Sequence, residues 1–366
     1  MVVASDLAAP QPIRVDTARL TEAIARMFVA LGIERTAANM VAGDLVAADL
    51  EGIASHGVML VPMYVERLRK GSVSRRPEGD VVSDRGAAIV IDAAHALGQL
   101  TARQAVGLAV PRARELGVAV VAVRNAFHFG TAGRYARMMA EQGCAGMVMS
   151  NTRPLMPAPG AAEAMVGNNP LAIALPSAGP HPVEVDMALS ATAMGKIRLA
   201  AAAGAAIPSD WAVGADGRPT TNPAEAIRGM LLPAAGPKGF GLAFVIDLLC
   251  GGLSDGAFGA QVRPLYGDPA DPYRCSQLFV AVDIGHFPAA EGFAGKVRDQ
   301  AARVSASKRA PGIDRIYAPG ELTFATREAN GTTCGLDVQT VKSLVAAAAE
   351  AGIKFEHSLL EEITAS

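Results

Sequence analysis

The sequence has few cysteines, and none of them lie close together. The four are widely separated and include no C-x-x-C pair: Cys144, Cys250, Cys275 and Cys334. Structural zinc sites and disulfide frameworks need closely spaced or paired cysteines. The sequence therefore predicts no metal site and no disulfide framework, and its cysteine usage fits a reducing cytoplasm.

An excess of charge of either sign is also missing. The chain has 33 Lys and Arg residues against 35 Asp and Glu residues, for a formal net charge of -2. Proteins that bind nucleic acid or an anionic membrane surface usually carry a basic patch, so neither partner is expected. A hydrophobic content of 51% and a charged content of 19% permit a large core and argue against widespread disorder.

Targeting and membrane signals are not apparent. Residues 1–6 lack a cationic stretch followed by an apolar core, so we expect no signal peptide. The most apolar stretch, Gly241–Cys250, is too short to span a bilayer and contains Asp247. The sequence therefore predicts no transmembrane helix.

A glycine fingerprint for nucleotides is missing as well. Neither G-x-G-x-x-G after a strand nor G-x-x-x-x-G-K-[ST] occurs. The nearest substitute is the glycine-rich loop Gly236–Gly241, which contains Lys238 and Gly239 and leads into an apolar helix. Backbone N–H groups and a lysine at a helix N-terminus can hold a phosphate. A dinucleotide would therefore be bound without a Rossmann cradle.

The first 75 residues are predicted to form a helical domain. Apolar residues with helical spacing follow Asp16 or Thr17 and end at Gly32, and a second helix covers 36–50. Residues 1–14 are expected to be a loose tail. Because Val61 precedes a proline, the third helix is expected to begin at Pro62 and to leave the residues before it in an open connection.

From residue 87 onward, apolar runs alternate with helical patterns, which predicts an α/β domain over residues 76–330. Residues 207–229 are expected to form a loop, and the helices from about 290 to 366 are candidates to pack back on the helical domain. Predicted strands cover 88–92, 117–123, 146–150, 171–175, 183–186 and 277–283, and predicted helices cover 100–116, 131–142, 191–203, 240–253, 290–304 and 338–351.

The densest group of reactive residues is Ser55-His56-Gly57, just ahead of the third helix. A histidine with a pKa of about 6.5 exchanges protons near neutral pH, so His56 is a candidate general acid/base. The alternative is a turn histidine that caps a helix or binds a carbonyl. A Ser–His–Asp hydrolase centre is disfavoured, because adjacent side chains do not normally face each other and no G-x-S-x-G elbow is present. A non-enzymatic small-molecule binding module is a further alternative.

Other polar groups follow predicted strands, where ligands collect in α/β proteins. His128, between two phenylalanines, is either an imidazole that faces a nicotinamide or a packing residue. Thr152 and Asn168 offer a hydroxyl and an amide to a carboxylate, or only make turns. Asp186 can accept hydrogen bonds from ribose hydroxyls. Lys196, on the following helix, can reach a substrate anion, although isolated lysines are usually solvated.

Taken in order, these segments resemble the type-2 malate/L-lactate dehydrogenase family. The resemblance extends from about residue 15 to 340 and depends on the ordered series, because each motif alone is weak. The matching segments are Ser55-His56-Gly57-Val58 with Tyr64 and Gly71, Asn125-x-x-His128-x-Gly130, Ser150-Asn151-Thr152 with Pro157, Gly167-x-Asn169-Pro170, Asp186-Met187-Ala188-x-Ser190, Gly195-Lys196, Lys238-Gly239 and Pro319-Gly320-Glu321.

The resemblance implies an oxidoreductase that uses NAD or NADP and acts on a small 2-hydroxy or 2-oxo acid resembling malate or lactate. It implies a non-Rossmann fold of the α/β (α+β) class, with a helical N-terminal domain and a mixed, largely antiparallel cofactor domain. It also implies a homodimer with the active site near the subunit boundary.

The resemblance assigns expected roles by position. His56 matches the proton donor and acceptor, Ser55 its neighbour and His128 a histidine at the nicotinamide; with Lys196 they are the candidate catalytic residues. The candidate coenzyme contacts are His128, Gly130, Asp186, Met187, Ala188, Lys238, Gly239, Pro319, Gly320 and Glu321, and the candidate substrate contacts are Leu60, Thr152 and Asn168.

Two positions depart from the family pattern. Leu60 stands where many members carry a carboxylate-binding arginine, and Asn168 stands where a threonine is usual. Loss of that arginine should change the substrate unless Arg153 or Lys196 supplies the charge. The cyclic-imine reductases of the family carry an aspartate at the position of Lys196. This difference favours a hydroxy-acid, ureidoglycolate or sulfolactate dehydrogenase over a pyrroline- or piperideine-2-carboxylate reductase.

Overall fold

The computed structural model describes residues 12–288 and 290–355. The chain divides into two compact units. The first unit contains the described residues through Gly71 and those from Thr323 onward, and the second contains Ser72–Leu322. The stretch considered for a signal peptide and most of the predicted N-terminal tail lie outside the described residues.

The secondary structure follows the predicted alternation closely. The helices are α1 (Thr17–Ala30), α2 (Arg35–Leu50), α3 (Val61–Lys70), α4 (Gly98–Leu116), α5 (Ala132–Ala140), α6 (Met194–Ala202), α7 (Pro223–Arg228), α8 (Pro237–Ser254), α9 (Phe293–Ser305), α10 (Glu321–Asn330) and α11 (Val338–Glu350). The strands are β1 (Ile13–Asp16), β2 (Asp80–Arg85), β3 (Ala88–Asp92), β4 (Val118–Ala126), β5 (Cys144–Ser150), β6 (Met156–Pro157), β7 (Ala164–Val166), β8 (Leu171–Leu175), β9 (Val183–Met187), β10 (Ala212–Val213), β11 (Met230–Leu231), β12 (Cys275–Asp283) and β13 (Thr333–Leu336).

In the first unit, α1 and α2 begin at side-chain caps and bury one apolar face each. The Asp16 carboxylate accepts the N–H of Arg19, which confirms the predicted cap of α1.

The prediction of a loose tail through residue 14 is wrong at its end, because Ile13 and Arg14 belong to β1, which pairs with β13. That partner lies more than 300 residues away, so no local pattern could reveal the strand.

The start of α3 also differs from the prediction. Val61 is helical, with φ -53° and ψ -45°, although a proline follows it. Pro62 occupies the first turn of α3, where its missing N–H would have no intrahelical partner. The preceding residues form two short 3-10 helices, Ala54–His56 and Val58–Leu60, so His56 does not lie in an open connection.

The second unit is built on a seven-stranded sheet with the order β2-β3-β4-β12-β5-β8-β9. Only β3 and β4, joined by α4, are parallel; every other neighbouring pair is antiparallel. This arrangement confirms the mixed, largely antiparallel fold. The sequence pattern missed β2, a mostly exposed and charged edge strand, because it lacks apolar alternation. It also missed the short helix α7, which Asn222 caps inside the predicted loop.

Helix α8 is apolar on nearly every side. It is 18 residues long, so the apolar stretch continues beyond the ten residues seen in the sequence, and among the described helices it alone is long and apolar enough to span a membrane. By this measure 39% of it is buried. Ala243, Ile246 and Cys250 pack in the core of the second unit, whereas Phe244 and Leu248 remain exposed. Helix α8 therefore has one apolar face buried in the core and a second apolar face that is exposed.

The N-terminus of α4 packs tightly against the end of β4. A Cβ atom on Gly98 would lie 2.5 Å from the carbonyl oxygen of His128 and closer still to that of Phe127. Only glycine leaves space for this approach. The position of the chain at His128 therefore depends on a residue that contains no side chain.

We expect Gly98→Ala to lower the free energy of unfolding by about 1–3 kcal/mol, because the added methyl group must displace backbone atoms. Gly107→Ala in the same helix is the matched control, since a Cβ there meets nothing within 4 Å. That change should be neutral or stabilising by up to about 1 kcal/mol. Thermal and urea unfolding of both variants measures the difference, and equal stability of the two would contradict the described packing.

Candidate active site

His56 lies in the first 3-10 turn of the first unit. The Ser55 hydroxyl and His56 Nδ1 are 2.9 Å apart. The expectation that these adjacent side chains do not face each other is therefore wrong, because the hydroxyl and the imidazole are within hydrogen-bond distance. When Nδ1–H donates to the hydroxyl oxygen, Nε2 is left as the acceptor. Burial lowers the pKa of His56 below its usual value of 6.5, so the ring is neutral at pH 7 and can accept a proton.

A buried carboxylate lies beneath the same turn. Asp49, in the last turn of α2, accepts the N–H of Val58 at 2.7 Å. Gly57 approaches this carboxylate so closely that a Cβ atom would overlap with it. Burial raises the pKa of Asp49 to about 7, against the lowering effect of the bond from Val58. The sequence analysis missed Asp49; the available signal was a carboxylate that, like Asp44, interrupts the apolar stretch preceding the motif.

Leu60, the residue at the family's arginine position, is buried in the first unit. The exposed residue of this turn is its neighbour Met59. An apolar side chain that is 2% exposed presents almost no surface to a ligand. The carboxylate of a substrate must therefore find its positive partner elsewhere.

In the second unit, β12 holds the ends of β4 and β5 together. The amide of Gln277 donates to the carbonyl of Phe127 at 3.0 Å, and Ser276 exchanges two hydrogen bonds with Asn151. His128 follows Phe127, and Thr152 follows Asn151. The structure therefore brings these two predicted residues to the same edge of the sheet, on either side of the start of β12.

His128 is partly exposed between two buried rings. Phe129 stacks on Tyr135 with ring centroids 5.3 Å apart, and Phe127 meets Tyr273 edge to face. The Gly130 N–H donates to His128 Nδ1 at 3.4 Å, so a neutral ring carries its proton on Nε2. The two phenylalanines that flank His128 are buried, whereas the imidazole itself is partly exposed.

Thr152 and Asn168 are in direct contact. The Thr152 hydroxyl donates to Asn168 Oδ1 at 2.9 Å, and its N–H donates to Asn169 Oδ1 at 2.8 Å. Asn169 is fully buried and also donates to the carbonyl of Ala243 in α8. Asn169, like Asn151, is therefore a structural link, whereas Thr152 and Asn168 remain partly exposed and can face a ligand.

Three predicted coenzyme segments meet around β9, the edge strand of the sheet. Residues 186–188 are exposed at the end of β9, and the Asp186 carboxylate accepts the N–H of Gly133 at 2.8 Å. Pro319 accepts the N–H of Glu184 in the same strand. Gly320, with φ +89°, packs against Glu184 where a Cβ atom would come within 2.9 Å. Glu321 closes this loop by accepting the N–H of Ala318 at 2.9 Å.

The third segment is the glycine-rich start of α8. The N–H of Ala234 donates to the carbonyl of Leu189, and the N–H of Ala191 donates to that of Leu232, which ties this loop to the end of β9. Lys238 is exposed in the first turn of α8. Gly239 is buried where a Cβ atom would overlap the Ala234 carbonyl, so no side chain fits at this position.

Among the cavities of the second unit, two are lined in part by residues of the matching segments. One, of about 280 Å³, adjoins the start of α8 and is lined by residues 157–162, Asp216, Gly217 and Pro237; of these, the sequence points only to Pro157 and to the loop that contains Pro237. The other, of about 490 Å³, is lined by Arg124, Asn125 and Arg274 among others. Asn125 and Arg274 both have positive φ angles, a strained conformation that is enriched at functional sites.

The two cations considered as replacements for the missing arginine are both exposed. Arg153 follows Thr152 directly, and Lys196 lies in the first turn of α6. Both belong to the second unit, which also contains Thr152 and Asn168. Arg153 is the nearer of the two along the chain to this pair.

Comparison with known proteins identifies the family of this chain. A family model described as malate/L-lactate dehydrogenase matches residues 15–344. The malate dehydrogenase of Pyrococcus abyssi is 34% identical over 324 residues, which cover 86% of this chain and 88% of that protein. The ureidoglycolate dehydrogenase (NAD(+)) of Escherichia coli O157:H7 is 37% identical over 290 residues, which cover 79% of this chain and 82% of that protein.

A solved structure has the same fold. The sulfolactate dehydrogenase from Methanocaldococcus jannaschii matches with a TM-score of 0.88 at 32% identity, covering 93% of this chain and 98% of that chain. The mixed sheet, the loops around β9 and the ordered motifs thus occur in a chain that belongs to the malate/L-lactate dehydrogenase family.

Proposed function

We propose that this protein is an NAD(P)-dependent dehydrogenase of a small 2-hydroxy acid and that His56 is its general acid/base. The observation that carries the proposal is the neutral His56 ring, hydrogen-bonded to Ser55 at 2.9 Å. In the oxidation direction, Nε2 accepts the proton of the substrate hydroxyl as the carbon gives up hydride. In reduction, the same nitrogen returns the proton, while Ser55 fixes the orientation of the ring.

The residues around β9 and α8 fit a dinucleotide. The exposed Lys238 at the start of α8 and the positive end of the helix dipole suit a diphosphate. Asp186 accepts the N–H of Gly133, and a carboxylate at this exposed strand end can also accept from ribose hydroxyls. The remaining proposed contacts are Met187, Ala188, Gly239, Pro319, Gly320 and Glu321, with His128 and Gly130 at the nicotinamide. When bound, the coenzyme supplies the hydride acceptor or donor at its nicotinamide ring.

Thr152 and Asn168 are proposed to hold the substrate. Their hydroxyl and amide are hydrogen-bonded to each other, so one ligand can reach both. Since Leu60 is buried and apolar, we propose that Arg153 or Lys196 supplies the positive charge for the carboxylate. A malate- or lactate-like acid is the main proposal; ureidoglycolate, sulfolactate and, as a reductase substrate, a cyclic imino acid are the alternatives.

His56→Gln should lower kcat by about 10²–10⁴-fold, because the amide cannot exchange a proton. The melting temperature, and its rise on adding NADH or NADPH, should remain. The wild type is first assayed with malate, lactate, sulfolactate and ureidoglycolate, each with both coenzymes. The steady-state kcat of the variant is then compared with that of the wild type for the substrate and coenzyme that the wild type uses. Turnover near the wild-type level in the variant would remove His56 from this role.

If Arg153 binds the carboxylate, Arg153→Gln should reduce kcat/KM by about 10–100-fold, the value of one lost charge-assisted hydrogen bond. Lys196→Gln tests the other candidate in the same assay. Arg218→Gln is the control, because this arginine is exposed and pairs only with the neighbouring Asp216. Unchanged kcat/KM in both test variants would exclude compensation by either cation.

We also propose that the protein is a cytoplasmic homodimer in which a second copy covers the exposed face of α8. Phe244, Val245 and Leu248 form a continuous apolar strip on this face, next to the Phe240–Phe244 ring stack. Contiguous apolar surface of this kind marks an interface more often than open surface. The four free, buried cysteines suit a reducing compartment.

The double variant Phe244→Asp/Leu248→Asp should shift the protein from dimer to monomer, because each charge would be buried unpaired at the interface. Light scattering coupled to size-exclusion chromatography gives the mass directly. Leu116→Asp, an exposed leucine at the end of α4, should leave the mass unchanged. A monomeric wild type, or a variant that stays dimeric, would contradict this interface.

A further inference from the structure

We propose that Asp49 is a positioning residue that holds His56 in its working orientation through the backbone of Gly57 and Val58. The proposal rests on the proposed function of His56 as general acid/base. Asp49 does not touch substrate in this proposal; it acts through the chain segment that carries the histidine.

The contacts that carry the proposal surround one short segment. Asp49 Oδ2 accepts the N–H of Val58 at 2.7 Å, and the carboxylate lies directly against Gly57. On the other side of the turn, the N–H of His56 donates to the carbonyl of Ile53 at 2.9 Å. The backbone of His56 is therefore held on one side by the Ile53 carbonyl and on the other by residues 57–58, which contact the Asp49 carboxylate.

Gly57 makes this approach possible. With any other residue at position 57, the Cβ atom would overlap the Asp49 carboxylate. The glycine and the aspartate therefore form one packing unit, and a change in either must move the backbone next to His56. A displacement of about 1 Å at a reacting group can cost about 100-fold in rate.

The charges that face Asp49 come from the C-terminal part of the first unit. Asp337 caps α11 through Thr340 and raises the pKa of Asp49, while the Cys334 thiol in β13, whose own pKa is about 12, stays neutral. With burial, these surroundings bring the pKa of Asp49 to about 7. The carboxylate is thus protonated below neutral pH and ionised above it, and only the ionised form accepts the Val58 N–H as a charge-assisted bond.

Two ionisations therefore act on the same turn. His56 must be neutral to accept a proton, and its pKa lies below 6.5. Asp49 must be ionised to hold the turn most firmly, which requires a pH above about 7. As the pH falls, oxidation of the hydroxy acid should weaken first through Asp49 and then through His56.

Asp49→Asn tests the proposal, because it keeps the size of the side chain and an oxygen for the Val58 N–H. We expect kcat to fall about 10–100-fold, with the KM of the coenzyme within about twofold of the wild type. The pH profile of kcat should lose its ionisation near pH 7 and keep the one from His56. Glu34→Ala, which removes the cap at the other end of α2, should lower the melting temperature and leave the profile unchanged.

A second measurement is independent of turnover. In the ligand-free protein, the Cε1–H resonance of His56, assigned with His56→Gln, should titrate with two inflections, its own and one near pH 7. Asp49→Asn should remove the second. An Asp49→Asn enzyme with the wild-type kcat, or a His56 titration that keeps both inflections, would overturn the proposal. If instead the proposed role of His56 were wrong, the His56→Gln variant would turn over substrate at the wild-type rate, whatever the result for Asp49→Asn.

Discussion

The pairing of β12 with β4 on one side and β5 on the other is the interaction on which the second unit depends. The three strands are buried over most of their length, and the partners are about 130 to 160 residues apart in sequence. Side chains extend the pairing beyond the strands, because Gln277 binds the Phe127 carbonyl and Ser276 binds Asn151. The positions of His128 and Thr152 follow from these bonds.

In the first unit, the turn that carries His56 depends on a buried carboxylate. A neutral histidine useful for proton transfer must be partly desolvated, yet its ring must keep one nitrogen accessible. At His56 two short 3-10 turns are supported by a buried carboxylate and by the Ser55 contact, and burial lowers the pKa of the ring. The cost is a buried Asp49 that is only partly ionised near neutral pH.

One glycine in each of the two predicted coenzyme loops packs tightly against neighbouring atoms, whereas the glycines of a Rossmann fingerprint allow the backbone to approach phosphate. Gly239 and Gly320 each lie against a backbone or side chain that leaves no space for a Cβ atom. The hydrogen bonds between residues 189–191 and 232–234 bring the end of β9 to the start of α8. Loops joined in this way can form one binding surface without a contiguous fingerprint in the sequence.

The sequence by itself determined the order and type of most elements, because apolar periodicity and caps such as Asp16 are local signals. It also identified the family and the residues most capable of chemistry, since His56, His128 and Lys238 stand out by type and spacing. Their roles stay predictions, because side-chain type alone does not show what a residue binds.

The tertiary structure alone decided the remainder. The pairing of β1 with β13, the single parallel pair in the sheet and the role of Asn151 as a structural link all depend on partners distant in sequence. The burial of Leu60 and the approach of Asp49 to Gly57 depend on side-chain packing around a turn that local propensity placed in an open connection. Backbone preferences of a few tenths of a kcal/mol per residue determine where helices and strands form. The larger free energies of packing and burial determine how these helices and strands contact one another.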